Sequence, residues 1–193
     1  MNQRQLGIAS IAVVACIAIA AMVWYALLPS HRLHTASQSP TIGKAQVGQP
    51  APQFSVSTTD GLFDLAKTDK PVFLEVFATW CPHCQRETAV IDKLYQKYKS
   101  RMDFLGVSGS DTGVDGTSPA SQLDVLNWSQ RFSAQYPVAY DASLAVANLY
   151  LQGGFPTLVV IGQDKKVAYI NSGEISYNDL STAIEKTLRS GSR

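Results

Sequence analysis

Residues 71–84 read Pro71-Val72-Phe73-Leu74-Glu75-Val76-Phe77-Ala78-Thr79-Trp80-Cys81-Pro82-His83-Cys84, and this run decides the fold. Its first half is apolar at successive positions except for Glu75, the pattern of a strand buried on both faces. Beyond it, residues 82–100 show a helical period, with Ala89, Val90, Leu94 and Tyr98 on one side and Lys93, Gln96 and Lys97 on another. The cysteine pair therefore falls at a strand-to-helix junction. Cys81 is expected at the helix N-terminus, where free N–H groups and the macrodipole favour an anion. A thiolate is the nucleophile in disulfide exchange, so that placement activates Cys81. Cys84 lies one helical turn further on, within reach for closing a disulfide and resolving a mixed one. Pro82 suits the first turn, where its missing N–H is not needed.

Residues 102–107 read as a second buried strand, which completes a strand–helix–strand unit. Residues 109–119 are Gly, Ser, Asp, Thr and Pro for the most part. Such a long connection either caps a site, selects a partner or is a solvated excursion. A helix is expected over 123–135, a short strand over 138–140, and a short helix over 143–151 that ends at Gly153-Gly154. Strands over 157–161 and 166–170 are joined by a hairpin at Gly162-Gln163-Asp164, and an amphipathic helix over 177–188 closes the chain. Upstream, Gln53-Phe54-Ser55-Val56 and Leu62-Phe63-Asp64-Leu65 flank an Asp60-Gly61 turn. The expected fold is α/β: a mixed central sheet with helices on both faces and an N-terminal hairpin extension.

The start of the chain differs in kind. Residues 6–28 carry no charge, and about 20 apolar residues suffice to cross a hydrocarbon core. Trp24 and Tyr25 sit where a headgroup belt is expected, and Pro29 stops the helix. A cleaved signal peptide would have a shorter apolar region of roughly 7–15 residues. A lipobox is loosely matched by Val13-Val14-Ala15-Cys16, but apolar residues follow it, so Cys16 reads as a small apolar filler. The expected organisation is a tail over 1–5, a transmembrane anchor over 6–28, a flexible tether over 29–46 and a globular domain over 47–190. Lys and Arg number 16 against 15 Asp and Glu, a net charge of +1. No basic excess exists to neutralise phosphates, which excludes a nucleic-acid-binding function.

Other uses of the cysteine pair fit less well. A structural zinc site needs four ligands, and there is no second cysteine pair, while His31 and His34 lie in the tether. A purely structural disulfide has little reason to follow Trp80 at a strand-to-helix junction. Glu75 is the one charge in its strand, and a buried carboxylate is costly unless neutralised or paired. It is a candidate proton acceptor or donor for Cys84; the alternative is an edge position in contact with solvent. His83 either stabilises a thiolate or is a solvated helix-start residue. Trp80 is expected to shield the site and offer an apolar platform.

Three segments, Val47-Gly48-Gln49-Pro50-Ala51-Pro52-Gln53-Phe54, Phe77-Ala78-Thr79-Trp80-Cys81 and Gly154-Phe155-Pro156-Thr157, resemble the TlpA/ResA-type branch of the thioredoxin superfamily. The resemblance covers about residues 47–190 and implies a thioredoxin fold, a protein-disulfide oxidoreductase activity, and a redox-active Cys81–Cys84 disulfide with no other cofactor and no metal. It implies that Phe155, Pro156 and Thr157 form a cis-proline loop facing the cysteines, which with Trp80 and Pro82 binds client backbone like an added strand. Phe155 is larger than the residue expected there. Glu75, six residues before Cys81, matches the buried acid of thioredoxin. The partners implied are protein clients with thiols or disulfides, apocytochrome c among them, and a transmembrane electron donor or acceptor. The location implied is a bacterial inner membrane, with the domain in the periplasm or extracytoplasmic space. Pro82-His83 is also the dipeptide of the strongly oxidising enzyme DsbA, so the scaffold resembles a reductase and the dipeptide an oxidase or isomerase. A non-enzymatic binding module is a third reading, against which the intact cysteine pair argues.

Overall fold

The computed structural model of the protein describes Trp24 and residues 44–191. The anchor expected over 6–28 lies, Trp24 apart, outside the described residues, as do the tail and most of the tether. Among the described residues no helix is long and apolar enough to cross a membrane. Packing begins at Ala45, within the stretch expected as tether. Ala45 is buried, its N–H donates to Leu149 O at 2.8 Å, and its carbonyl accepts from Gln152 Nε2 at 2.7 Å.

The chain runs β1 (Ser55–Thr58), β2 (Gly61–Asp64), β3 (Val72–Phe77), α1 (Pro82–Tyr98), β4 (Asp103–Ser108), α2 (Gln122–Phe132), β5 (Val138–Tyr140), α3 (Ala145–Tyr150), β6 (Thr157–Ile161), β7 (Val167–Ser172) and α4 (Tyr177–Ser190). These form one seven-stranded sheet in the order β2-β1-β5-β4-β3-β6-β7. β3 pairs parallel with β4 and antiparallel with β6, so the sheet is mixed as expected. β1 and β2 form the N-terminal hairpin, which joins the sheet through β5.

All six residues of β3 are buried, because helices cover both faces. Side chains alternate along a strand. Phe73 and Phe77 therefore face a core built with Ile91, Leu94 and Tyr98 of α1, Trp128 of α2, and Leu180 and Ile184 of α4. Val72, Leu74 and Val76 face the other core, closed by Val146, Ala147 and Tyr150 of α3. The same alternation places Glu75 between Phe73 and Phe77, on the face that α1 covers.

The elements follow the sequence pattern with local differences. α2 ends at Phe132, before the expected 135, because Ser133 turns left-handed with φ 55°. β7 extends to Ser172, since Asn171 and Ser172 pair with Leu158 and Thr157 of β6. The buried stripe of α1 is Cys84, Glu87, Thr88, Ile91, Leu94 and Tyr98, so Ala89, expected inside, is exposed. The stripe is rotated toward polar residues, to which an apolar period is blind.

Candidate active site

The cysteines sit where β3 hands over to α1. Cys81 is the N-cap residue of α1 and Pro82 follows in its first turn. The long helices α2 and α4 have serine caps, Ser121 and Ser176, whose side chains accept from Asp124 N and Asp179 N. No side chain caps α1, so the donors of its first turn are left for whatever charge forms at Cys81.

Both cysteines are free thiols and both are buried. Cys81 Sγ donates to the carbonyl of Phe155 at 3.6 Å. The Phe155–Pro156 peptide is cis, and its loop faces the cysteines. Trp80 is 38% exposed and meets the Phe155 ring edge-on, with centroids 5.8 Å apart. Pro82 and His83 are exposed beside them. Thr157, expected on the client side, has its side chain turned inward. It is fully buried, and its hydroxyl bonds with the Gln152 N–H and with the carbonyls of Gln152 and Gly154. Thr157 thus holds the loop from behind.

Glu75 is fully buried beneath the pair. Burial pushes its carboxyl up to about 8, against the opposing hydrogen bond from Tyr136. The Tyr136 hydroxyl donates to Oε2 at 2.8 Å, while Oε1 has no partner. Burial also drives the Cys84 thiol up, and the negative charge of Glu75 adds to that rise. Both groups therefore hold their protons more firmly than in water, and an ionised Glu75 disfavours ionisation of Cys84.

Sequence reasoning did not find four further residues here. Tyr136 reaches Glu75 from the segment before β5. Glu87 is buried on α1, its carboxyl raised to about 7 mainly by burial; Oε2 accepts from Ile175 N at 3.3 Å and Oε1 is unpartnered. Glu174 and Arg86 flank His83, whose Nδ1 lies 2.6 Å from Glu174 Oε1. A glutamate among the apolar positions of a helix stripe was the one available signal, and it pointed to Glu87. Nothing local marks Tyr136 or Glu174, because each reaches the site through the fold.

The 109–119 connection is tied to the site rather than free of it. The Trp80 indole N–H donates to Ser110 Oγ at 2.9 Å, and the same oxygen accepts from Thr112 N at 3.0 Å. Thr112 bridges Pro119, and Ala120 N donates to Asp111 O at 2.8 Å, closing the loop at its base. Asp115 organises the tip by accepting from Thr117 N and from the N–H and hydroxyl of Ser118.

A thioredoxin-like sheet carrying a cysteine pair at an uncapped helix start defines a thiol–disulfide oxidoreductase, an enzyme. The chain belongs to the Redoxin family, which it matches over residues 46–185. Its relatives include Thiol-disulfide oxidoreductase ResA of Bacillus cereus (strain ZK / E33L), 30% identical over 148 residues covering 74% of this chain and 79% of that protein. The protein of the same name from Geobacillus thermodenitrificans (strain NG80-2) is 31% identical over 143 residues, covering 72% and 76%. Similar solved structures include the thioredoxin domain of a thiol-disulfide oxidoreductase from Bacteroides vulgatus, with a TM-score of 0.60 at 19% identity, covering 75% of this chain and 99% of that one. A thiol-disulfide oxidoreductase from Bacteroides fragilis NCTC 9343 has a TM-score of 0.59 at 17% identity, covering 72% and 98%. At such identities the structural likeness is one of fold.

Proposed function

We propose that the protein is a membrane-tethered, extracytoplasmic reductase of protein disulfides, acting through Cys81-Pro82-His83-Cys84. The observation that carries this reading is the placement of two free thiols at the uncapped start of α1, one on the Phe155 carbonyl and the other above Glu75. The Cys81 thiolate attacks a client disulfide, forming a mixed disulfide and releasing one client thiolate, which takes up a proton. Cys84 passes its proton to ionised Glu75 and attacks Cys81 Sγ. That step releases the second client thiol and leaves a Cys81–Cys84 disulfide, so two electrons pass from the protein to the client. Trp80, Pro82 and the Phe155-Pro156 loop form the client surface, with Thr157 holding the loop in place. Because the dithiol is consumed, the cycle needs an electron donor, and a transmembrane one suits an anchor over residues 6–28. Apocytochrome c is among the clients that the family resemblance suggests.

Pro82-His83 favours a second reading, oxidation or isomerisation of client disulfides. The reduction potential of the pair separates the two: about −270 mV marks a reductase of the thioredoxin kind, about −120 mV an oxidant of the DsbA kind. The exchange activity itself is tested by Cys84→Ser in the full chain, which leaves Cys81 able to attack but unable to be resolved. Mixed disulfides with extracytoplasmic proteins are expected to accumulate in membranes. Their absence, with Cys81 still reactive, would mean a binding module.

A further inference from the structure

A cation held near Cys81 Sγ stabilises the thiolate, and a more stable thiolate makes the pair more oxidising. Two basic side chains follow Cys81 on α1, His83 and Arg86, and the Arg86 guanidinium interacts electrostatically with Cys81. Both are held by a third residue from another element. Glu174, in the connection between β7 and α4, lies 2.6 Å from His83 Nδ1 through Oε1. Arg86 Nε donates to Oε1 at 3.1 Å and to Oε2 at 3.2 Å, and Nη2 also donates to Oε1. Arg86 Nη2 and His83 Nδ1 are themselves 2.9 Å apart, so the three groups form one cluster. Nδ1 thus lies within hydrogen-bonding reach of both the Glu174 carboxylate and the Arg86 guanidinium.

We infer that Glu174 is a positioning residue that sets the redox poise: it clamps His83 and Arg86, offsets the positive charge of the guanidinium, and keeps the Cys81–Cys84 pair more reducing than Pro82-His83 would otherwise make it. Arg86 and then His83 hold the Glu174 carboxyl down to about 2, so its charge is present at any pH where exchange runs. The connection that carries Glu174 is also fixed from α1, because Ile175 N donates to Glu87 Oε2. The charged and titratable groups facing the cluster are thus Cys81, His83, Arg86 and Glu87 from α1 and Glu174 from the β7–α4 connection. The cluster accounts for a dipeptide of the oxidising type on a scaffold that resembles a reductase.

The inference rests on the exchange reading above, and one experiment separates their failures. The wild type, Glu174→Gln, Glu174→Asp, and Glu174→Gln combined with His83→Ala and Arg86→Gln are equilibrated with reduced and oxidised glutathione. In this reaction protein dithiol and glutathione disulfide give protein disulfide and two glutathione thiols. Cys81 alkylation is followed against pH in the same samples. For Glu174→Gln the equilibrium constant for protein oxidation is expected to fall about three- to fivefold, or about 14–21 mV toward a more oxidising pair at 29.6 mV per tenfold. The Cys81 titration should move to lower pH. Glu174→Asp should restore the wild-type potential, and removing both basic side chains should cancel the shift. An unmoved potential with only a lower unfolding midpoint would make Glu174 a structural tie and overturn the inference. A wild-type pair that fails to equilibrate with glutathione would overturn the exchange reading, and this inference with it.

Discussion

Tyr136 donates its hydroxyl to one oxygen of Glu75 at 2.8 Å and leaves the other without a partner. The hydrogen bond favours the carboxylate, while burial favours the neutral acid and prevails. Gly106, the register partner of Glu75 on β4, makes room for this arrangement. A Cβ there would meet Tyr136 Cε2 at 3.0 Å and Val138 Cγ1 at 3.4 Å. Tyr136→Phe removes the one contact that holds the Glu75 carboxyl down. A hydrogen bond to a charged group is worth about 1.5–3 kcal/mol, so the Glu75 titration should climb from about 8 by about one unit or more. The pH profile of client reduction is the measurement; it should move to higher pH, and an unmoved profile would separate Tyr136 from the chemistry.

Glu75→Gln tests the proton transfer directly. With its carboxyl raised to about 8, only a minor share of Glu75 is ionised at neutral pH, and the resolving step should speed up as pH rises toward that value. The amide cannot accept the Cys84 proton, so turnover at neutral pH should drop by about a hundredfold, the low end of general-base contributions. The rise with pH should also flatten. Single-turnover release of client from the Cys81 mixed disulfide reads this step alone, and an unchanged rate would remove Glu75 from the mechanism.

The same carboxyls make the stability of the domain depend on pH. Glu75 and Glu87 are raised to about 8 and about 7, so between pH 5 and 7 the folded protein keeps protons that the unfolded chain has released. Stability therefore falls as pH rises through that window, with a slope approaching about 1.4 kcal/mol per pH unit for each fully shifted group. Burial leaves Glu87 partly shifted, so its share is the smaller. Denaturant unfolding at pH 5, 6 and 7 should show a declining midpoint, and Glu75→Gln should make the decline shallower.

The strand–helix junction was legible in the sequence because two periods meet there, two-residue alternation before Ala78 and helical spacing after Pro82. Cys81 and Cys84 needed only that context. Of the polar half of the site only Glu75 and His83 were legible, and the rest was not for a definite reason. The inward stripe of α1 begins Cys84, Glu87, Thr88, and a search for apolar spacing read past Glu87 and Thr88 to Ala89, which is exposed. Tyr136 and Glu174 lie 61 and 91 residues in sequence from the groups they bind, Glu75 and His83. Only the sheet order, which brings β5 beside β4 and β7 beside β6, explains their arrival. Thr157 was visible as part of the proline loop, but the direction of its side chain followed from strand alternation at the start of β6.

The connection after β4 supplies the last test, since the Gly109 N–H ties it to Phe77 O and Ser110 ties it to Trp80. Gly109 cannot carry a side chain without displacement, because a Cβ would stand 2.5 Å from Val76 Cγ1 and 2.9 Å from Ala147 Cβ. Gly109→Ala should thus lower stability by about 1–3 kcal/mol, the usual range for overpacking a core. Ser110→Ala acts more selectively. It removes the acceptor for the Trp80 indole together with the turn bond from Thr112 N, so the loss of stability should be about 1–3 kcal/mol. The indole, no longer pinned, should hold its edge-on contact with Phe155 less firmly, and both rings belong to the proposed client surface. A protein client should then show a KM raised about threefold to tenfold, while reduction of a small disulfide that touches only Cys81 stays unchanged. Equal losses for both substrates would mean that the loop supports the cysteines themselves and not the surface that meets the client.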